Sequence, residues 1–358
     1  AFETSVDTTK YNIVVDIADK IKEYVNTNEN NYDIVFVSNE TIYGPVNDEG
    51  FCYLTALKSI TFNNFSTIKI TTMRSFFDSC SSLESLDLSN FDTRNVTDMR
   101  KMFNGCSSLK NVLLGKNFVT KNVTDMLSMF KGCSSVVNID LSNFDTRNVT
   151  EMASMFRGCS SLENLDLSNF DTRNVMNISS MFNGCSSLKN ILLGKNFVTT
   201  IVEGVTNLFN GCTSLKSVDM SRFDLSYVDS ADNIFANCES LERVKLPKGI
   251  NEGITINLPT SWSTDLTNKG ATKYCVTADE TKTAVTSIDS TLLKNYAGGT
   301  LELYTDSGES LATPQTPVEP ATGVNASVVA IVCSIVAILM IVVKYKERRK
   351  MRNEKNNA

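Results

Sequence analysis

Apolar residues along most of this chain recur with two different spacings inside one repeating text. In residues 83–106, Leu86 and Leu88 alternate with polar neighbours, the pattern of a short strand with one buried face. Val96, Met99, Met102 and Phe103 then follow at the i, i+3, i+6, i+7 spacing of one helical face. Asn95 is placed to N-cap such a helix, Asp98 to favour its positive end, and Gly105 to close it in the left-handed conformation. Asn122, Asp125 and Gly132, then Asn148, Glu151 and Gly158, repeat these signals. Each unit is expected to be strand, turn, short helix, turn.

Cys80, Cys106, Cys133, Cys159, Cys185, Cys212 and Cys238 mark the period, 26 or 27 residues, each three places before Leu83, Leu109, Val136, Leu162, Leu188, Leu215 and Leu241. Leu54, Leu57, Phe65, Met73 and Phe77 extend the register one unit earlier. No unit can bury its apolar face alone, so the units must stack, with parallel strands on one side and helices on the other. The fold class expected is α/β, a solenoid of about eight strand-turn-helix units over residues 54–249. Residues 103–120 and 182–199 differ only at Val112 and Ile191, so a three-unit block has been duplicated. An array that can change length this way is a poor host for a catalytic site.

Outside the array the patterns change. Val14, Ile17, Ile21 and Tyr24 recur at helical spacing and residues 32–37 read as a strand, making 1–53 an N-terminal cap. Residues 250–305 keep Ile254, Ile256, Val276, Val285 and Leu301 among Thr and Ser, a strand-rich C-terminal cap with Trp262 in its core. Residues 306–323 carry Pro314, Pro317 and Pro320 and form an extended spacer. Residues 324–343 are uncharged and largely apolar, about 30 Å long as a helix and so sufficient for one transmembrane span. The basic tail, residues 344–358, then lies in the cytoplasm and the array outside. The chain starts at Ala1 without an apolar leader run, as expected after leader cleavage or trimming.

Charge and composition narrow the function. The net charge is −6, and because the tail holds seven basic and two acidic residues, the part before it sums to about −11. An acidic body argues against nucleic acid as a partner. Histidine is absent, which removes the commonest general base and metal ligand. No Gly-rich phosphate loop or nucleophile elbow appears, so no catalytic residues, cofactor or metal are expected. The recurring cysteines lack the close pairs of a zinc site and read as small buried hydrophobes. Cys52 and Cys275 lie in opposite caps and Cys333 in the span, so no bridge joins them. Asp92-Thr93, Asp145-Thr146 and Asp171-Thr172 suggest either a calcium site or, preferably, hydrogen-bonded turns. Asn95-Val96-Thr97 and its copies fit a glycosylation pattern that capping already explains.

The text Leu83-x-x-Leu86-Asp87-Leu88-Ser89-Asn90-Phe91-Asp92-Thr93-x-Asn95-Val96-Thr97-x-Met99-x-x-Met102-Phe103-x-Gly105-Cys106 resembles the BspA-like leucine-rich repeats of bacterial surface proteins, over residues 54–246. The resemblance implies a leucine-rich-repeat solenoid engaged in adhesion, with host or interbacterial contacts. Phe91, Phe144, Phe170 and Phe223, with Phe118 and Phe197 one place later in the longer units, stand where an Asn ladder is common, so a phenylalanine spine is expected. Pro320-Ala321-Thr322-Gly323 is similar to the Pro-x-Thr-Gly part of a Gram-positive sortase signal, with Glu319 where Leu is usual. That implies cleavage after Thr322 by a sortase and attachment to peptidoglycan, with a plain membrane anchor through 324–343 as the alternative.

Outward strand positions Glu84, Ser85, Asp87, Lys110, Leu113, Asn138, Asp140, Glu163, Asp166, Leu192 and Asp219 should line an extended binding face, or be merely solvated. The expected function is a surface-anchored, non-catalytic module binding an extracellular protein or glycan on host or neighbouring cells. The alternatives are a structural coat protein without ligand and a single-pass receptor, the latter disfavoured by the short tail.

Overall fold

Every unit of the array closes into a coil without an α-helix. Where helical spacing was expected, the computed structural model has successive tight turns: Met102 N–H bonds Met99 O at 3.2 Å, Cys106 N–H bonds Phe103 O at 3.2 Å and Leu109 N–H bonds Cys106 O at 3.1 Å. Lys101 (φ 56°) and Gly105 (φ 71°) take the left-handed position at the third residue of the first two turns, as a type II turn demands. Ser128, Ser154, Ser180, Asn207 and Asn233 repeat the conformation of Lys101 in later coils. Between turns, every second N–H points along the stack. Met99, Lys101, Phe103 and Gly105 donate to the carbonyls of Asp125, Leu127, Met129 and Lys131 in the next coil at 2.7 to 3.0 Å. Backbone groups that a helix would pair within one segment are paired between segments instead, so the architecture is a β-solenoid and the strand-turn-helix unit is corrected to strand and turns.

The structure describes residues 50–62, 65–259, 287–296 and 299–302 in full, and the backbone alone at 13–17, 21–25, 32–37, 42–43, 271–276, 282–283 and 303–305. The first strands are β1 (Ile13–Ile17), β2 (Ile21–Val25), β3 (Tyr32–Val37), β4 (Ile42–Tyr43), β5 (Leu57–Phe62) and β6 (Phe65–Ser66). β1 and β2 pair antiparallel, with Ile13 opposite Val25, where a helix was expected. The run Ile13-Val14-Val15 is β-branched and suits a strand, and the spacing of Val14, Ile17, Ile21 and Tyr24 fits both elements. β2 pairs antiparallel with β3, and β3 pairs parallel with β5, which leads the chain into the stack. Phe51, Phe62, Phe65, Phe76, Phe77 and Phe91 close that end as one aromatic cluster, Phe62 lying 4.9 Å from both Phe65 and Phe91.

The coils carry β7 (Ser85–Leu88), β8 (Asn111–Leu114), β9 (Asn164–Leu167), β10 (Asn190–Leu193), β11 (Ser217–Asp219), β12 (Asp224–Leu225), β13 (Arg243–Lys245) and β14 (Gly249–Ile250). β7 pairs parallel with β8, β9 with β10, β11 with β13 and β12 with β14. On another side, single parallel bridges run Thr72, Asp98, Asp125, Glu151, Asn177, Gly204, Ser230, joining seven coils through six steps. The last elements are β15 (Ile256–Asn257), β16 (Ala271–Val276), β17 (Lys282–Thr283), β18 (Ser287–Ile288), the short helix α1 (Ser290–Tyr296) and β19 (Thr300–Thr305). β19 runs antiparallel to β13, with the buried Leu301 opposite Val244, and ends the parallel stack.

Residues 1–318 form one unit and 319–358 another. The second unit, and with it the expected span 324–343, the tail 344–358 and the motif Pro320 to Gly323, lies outside the described residues. Trp262 does too. Among the described residues no helix is long and apolar enough to cross a membrane.

Candidate binding surface

Four side-chain ladders, two of phenylalanine, one of cysteine and one of threonine, hold the coils in register and leave the outward positions free to vary. Phe77, Phe103, Phe130, Phe156, Phe182, Phe209 and Phe235 stack with centroids 5.1 to 6.1 Å apart, one ring per coil. Sequence reasoning assigned these residues to a helix face. The expected spine is a second, interrupted ladder: Phe65 on Phe91, Phe118 on Phe144 on Phe170, and Phe197 on Phe223. Each ladder thiol donates to the carbonyl of a phenylalanine one coil back, as Cys106 to Phe77 and Cys133 to Phe103, both at 3.1 Å. Burial pushes Cys80, Cys185 and Cys238 up to about 12 and the other ladder thiols well up, so all are neutral and inert at physiological pH.

Threonine forms the fourth ladder. The Thr146 hydroxyl donates to Asp171 O at 3.0 Å and accepts from Asp171 N–H at 2.8 Å, and Thr67, Thr93, Thr120, Thr172 and Thr199 make the same reciprocal pair with their next coils. The calcium reading of the Asp-Thr pairs is corrected by what surrounds the carboxylates. Asp92, Asp145 and Asp171 are held by Arg94, Arg147 and Arg173 two residues on, at 2.5 to 2.6 Å. The Arg147 and Arg173 hydrogen bonds hold Asp145 and Asp171 below the usual carboxylate range. No group of three or more metal-ligating side chains exists among the described residues. The Asn positions do not cap helices either: Asn122, Asn148 and Asn174 donate from Nδ2 to Arg94 O, Lys121 O and Arg147 O at 2.7 to 2.8 Å.

On the strand side the outward positions are the more exposed ones, as the alternation implies. Ser85 and Asp87 are exposed while Leu86 and Leu88 are buried, and Asn138 and Asp140 keep that alternation around the buried Ile139 and Leu141 although no strand is formed there. Glu84, Lys110 and Glu163 sit along its margin and are spent on neighbouring coils: Lys110 pairs with Glu84 at 3.3 Å, Lys58 with Glu84 at 3.7 Å and Lys189 with Glu163 at 3.0 Å. Asp87, Asp140, Asp166 and Asp219 each accept the N–H of the serine two residues on at 2.8 to 2.9 Å, so they shape the turn besides facing solvent. In the 27-residue coils Leu113 and Leu192 take the place of that Asp, 42% and 38% exposed, with Gly115 and Gly194 in place of Ser. A Cβ on Gly115 would meet Ser89 O at 2.2 Å, so the Leu-Leu-Gly text lets the backbones approach where the Asp-Ser turn is missing. The registers place Leu113 beside Asp87 and Leu192 beside Asp166.

A second face was not singled out from sequence. Arg94, Lys121, Arg147 and Arg173 occupy equivalent positions directly after the threonine ladder in four consecutive coils. An open groove of about 620 Å³ there is lined by Lys121, Arg147, Asn148, Asp171, Arg173 and Asn174. From the Arg173 coil onward the Thr column and then the Asn column give way to exposed Met176, Ile201 and Tyr227. Aligning the coils by their cysteines would have revealed the row.

The family model described as "Mycoplasma protein of unknown function, DUF285" matches residues 49–162, 110–216 and 132–246 in overlapping copies. Among solved structures, the chain is similar to a leucine rich cell surface protein from Faecalibacterium prausnitzii A2-165, with 17% identity, 68% of this chain and 56% of that chain covered, and a TM-score of 0.33. It is also similar to a leucine rich repeat protein from T. pallidum, with 14% identity, 56% and 90% covered, and a TM-score of 0.23. The chain thus spans about half the length of the F. prausnitzii protein. No curated protein matches the chain.

Proposed function

The chain belongs to the family described as Mycoplasma protein of unknown function, DUF285, and from that premise and its own geometry we propose that it is a surface-anchored, non-catalytic module that recognises a protein or glycan outside the cell. The observation that carries this reading is the repetition of one surface pattern. Leu113 stands between Asp87 and Asp140, and Leu192 between Asp166 and Asp219, so the duplicated three-coil block presents the same Asp-Leu-Asp row twice on the strand face. An exposed leucine flanked by carboxylates pairs an apolar contact with polar ones that fix orientation, and such open faces are where solenoids bind. Each half of a ligand with its own repeat can engage one row, and two weak contacts then act as one stronger one.

Anchoring belongs to the same proposal. The order of Pro320-Ala321-Thr322-Gly323, the apolar run 324–343 and the basic tail suits covalent attachment through Thr322, and the BspA-like text suits adhesion. The non-catalytic reading rests on the absence of histidine and on ladders that use the buried polar groups for stacking.

The test uses the full chain against host matrix proteins, mucins and neighbouring bacterial cells, beside a variant carrying Leu113→Ser and Leu192→Ser. Saturable binding that weakens in the variant with an unchanged melting temperature is expected. Absence of binding anywhere, together with self-assembly of the chain, would replace the module by a structural coat.

A further inference from the structure

We propose that the row Arg94, Lys121, Arg147 and Arg173 binds an anionic polysaccharide, sulfated or carboxylated, laid along the stacking direction. The inference rests on the reading of the chain as a binding module but uses a different face from the strands.

The charges are arranged for an external anion. The Arg94, Arg147 and Arg173 side chains are 62%, 63% and 62% exposed, whereas their carboxylates are 18%, 29% and 6% exposed and sit beneath them. Arg147 and Arg173 turn the Nε–Nη2 edge to the carboxylate, which leaves the rest of each guanidinium fork to solvent. Lys121 breaks the pattern. Its coil has Val119 where the others have Asp, so no carboxylate two residues back holds this ammonium, and the charge acting on it is that of Asp145 in the next coil. The row therefore carries one more cation than carboxylate, and the surplus charge lines the groove beside Arg147 and Arg173.

Spacing selects the polymer. Parallel pairing sets successive coils about 4.8 Å apart, so the row offers one cation per step of that size. A linear polysaccharide advances by close to one coil per sugar ring, which keeps acidic groups on every or every second sugar in register. An extended acidic peptide repeats its same-side chains every ~6.6 Å and drifts out of register. Beyond the last arginine, Ile201 and the 68% exposed Tyr227 offer an apolar continuation on which the C–H faces of uncharged sugars can rest.

The experiment measures binding of the full chain to dextran sulfate, alginate, uncharged dextran and single-stranded DNA at several salt concentrations. Wild type is expected to bind the two anionic polysaccharides saturably and more weakly as salt rises, and to leave dextran unbound. Lys121→Glu combined with Asp145→Asn and Arg147→Gln should lower the affinity by about tenfold or more, Lys121→Arg should keep it, and both proteins should melt as wild type does. Because the tail is also basic, a variant with Lys346, Arg348, Arg349 and Lys350 changed to Gln is run beside them and should bind as wild type. Loss in the tail variant but not in the groove variant overturns the proposal, as does equal binding of DNA. If no polysaccharide binds while the strand face still captures a protein ligand, this proposal falls and the module reading stands.

Discussion

The Cys133 thiol donates a hydrogen bond to the carbonyl oxygen of Phe103 one coil back, at 3.1 Å. The thiol thus fills the space beneath the turn and gives the Phe103 carbonyl, which already closes the turn with Cys106 N–H, a second donor. Cys133→Ala should lose both roles and cost roughly 1 to 3 kcal/mol, read as a lower melting temperature, whereas Cys133→Ser keeps the donor in an apolar site and still destabilises. The same geometry predicts that alkylation at pH 8 labels none of the seven ladder cysteines in the native chain and labels all of them after unfolding. Labelling of Cys106 or Cys133 without unfolding would refute it.

Thr146 tests the polar ladder separately from the apolar ones. Its hydroxyl serves both backbone groups of Asp171, and all three are buried. Thr146→Val keeps the shape and strands a buried N–H and a buried C=O, so a loss of about 1 to 3 kcal/mol is expected. Thr146→Ser retains the pair and should lie within ~1 kcal/mol of wild type. Equal melting of all three proteins would show that the reciprocal pair contributes nothing.

Phe144 lies 3% exposed between Phe118 and Phe170, at 6.1 and 6.3 Å. Phe144→Ala removes a ring from the middle of that stack, and a loss of roughly 3 to 5 kcal/mol is expected from the lost transfer energy and the cavity. Denaturant unfolding reads it directly, and a change below ~1 kcal/mol would mean that the coils close over the gap.

Much of this interior was legible in the sequence. Leu83, Leu86, Leu88, Phe91, Val96, Met99 and Cys106 are all buried, and their counterparts in later coils are buried too, except that Val112, Leu114, Ile191 and Leu193 are partly so. The local path between Val96 and Leu109 was not legible, because type II turns that repeat every three or four residues bury the same positions as a helix. The difference lies in where the N–H groups go, along the stack instead of back by four residues, and hydrophobic spacing carries no information on that. The left-handed Asn207 and Asn233 were a usable signal, since Asn tolerates that conformation and disfavours a helix interior. On the surface, outward strand positions followed from alternation alone. Their second duty, Asp87 shaping the turn to Ser89, depends on backbone geometry. The arginine row was not legible from one coil, because its cations line up only when coils are superposed.

Stacking like residues in one column has an electrostatic cost at Asp98, Asp125 and Glu151, adjacent rungs of one bridge column. Burial pushes the Asp125 carboxyl up, and the Asp98 charge adds to this, against the Leu127 N–H and the guanidiniums of Arg100 and Arg74 that pull it down. Glu151 is raised by burial and then by Asp125. A carboxyl raised in the native state binds its proton more tightly there than in the unfolded chain, so its share of stability is present below about pH 4 and is lost as pH rises through the raised value. Asp125→Asn removes that loss while keeping the acceptor for Leu127 N–H, the arrangement that Asn177 already uses with Ser179 in a later coil. The variant should therefore melt higher than wild type at neutral pH, with the gap closing as both are brought to pH 3. Thermal melts across that range check it, and a variant less stable at pH 7 would mean that the attraction to Arg100, whose Nε lies 3.4 Å from Asp125 Oδ2, outweighs burial and repulsion together.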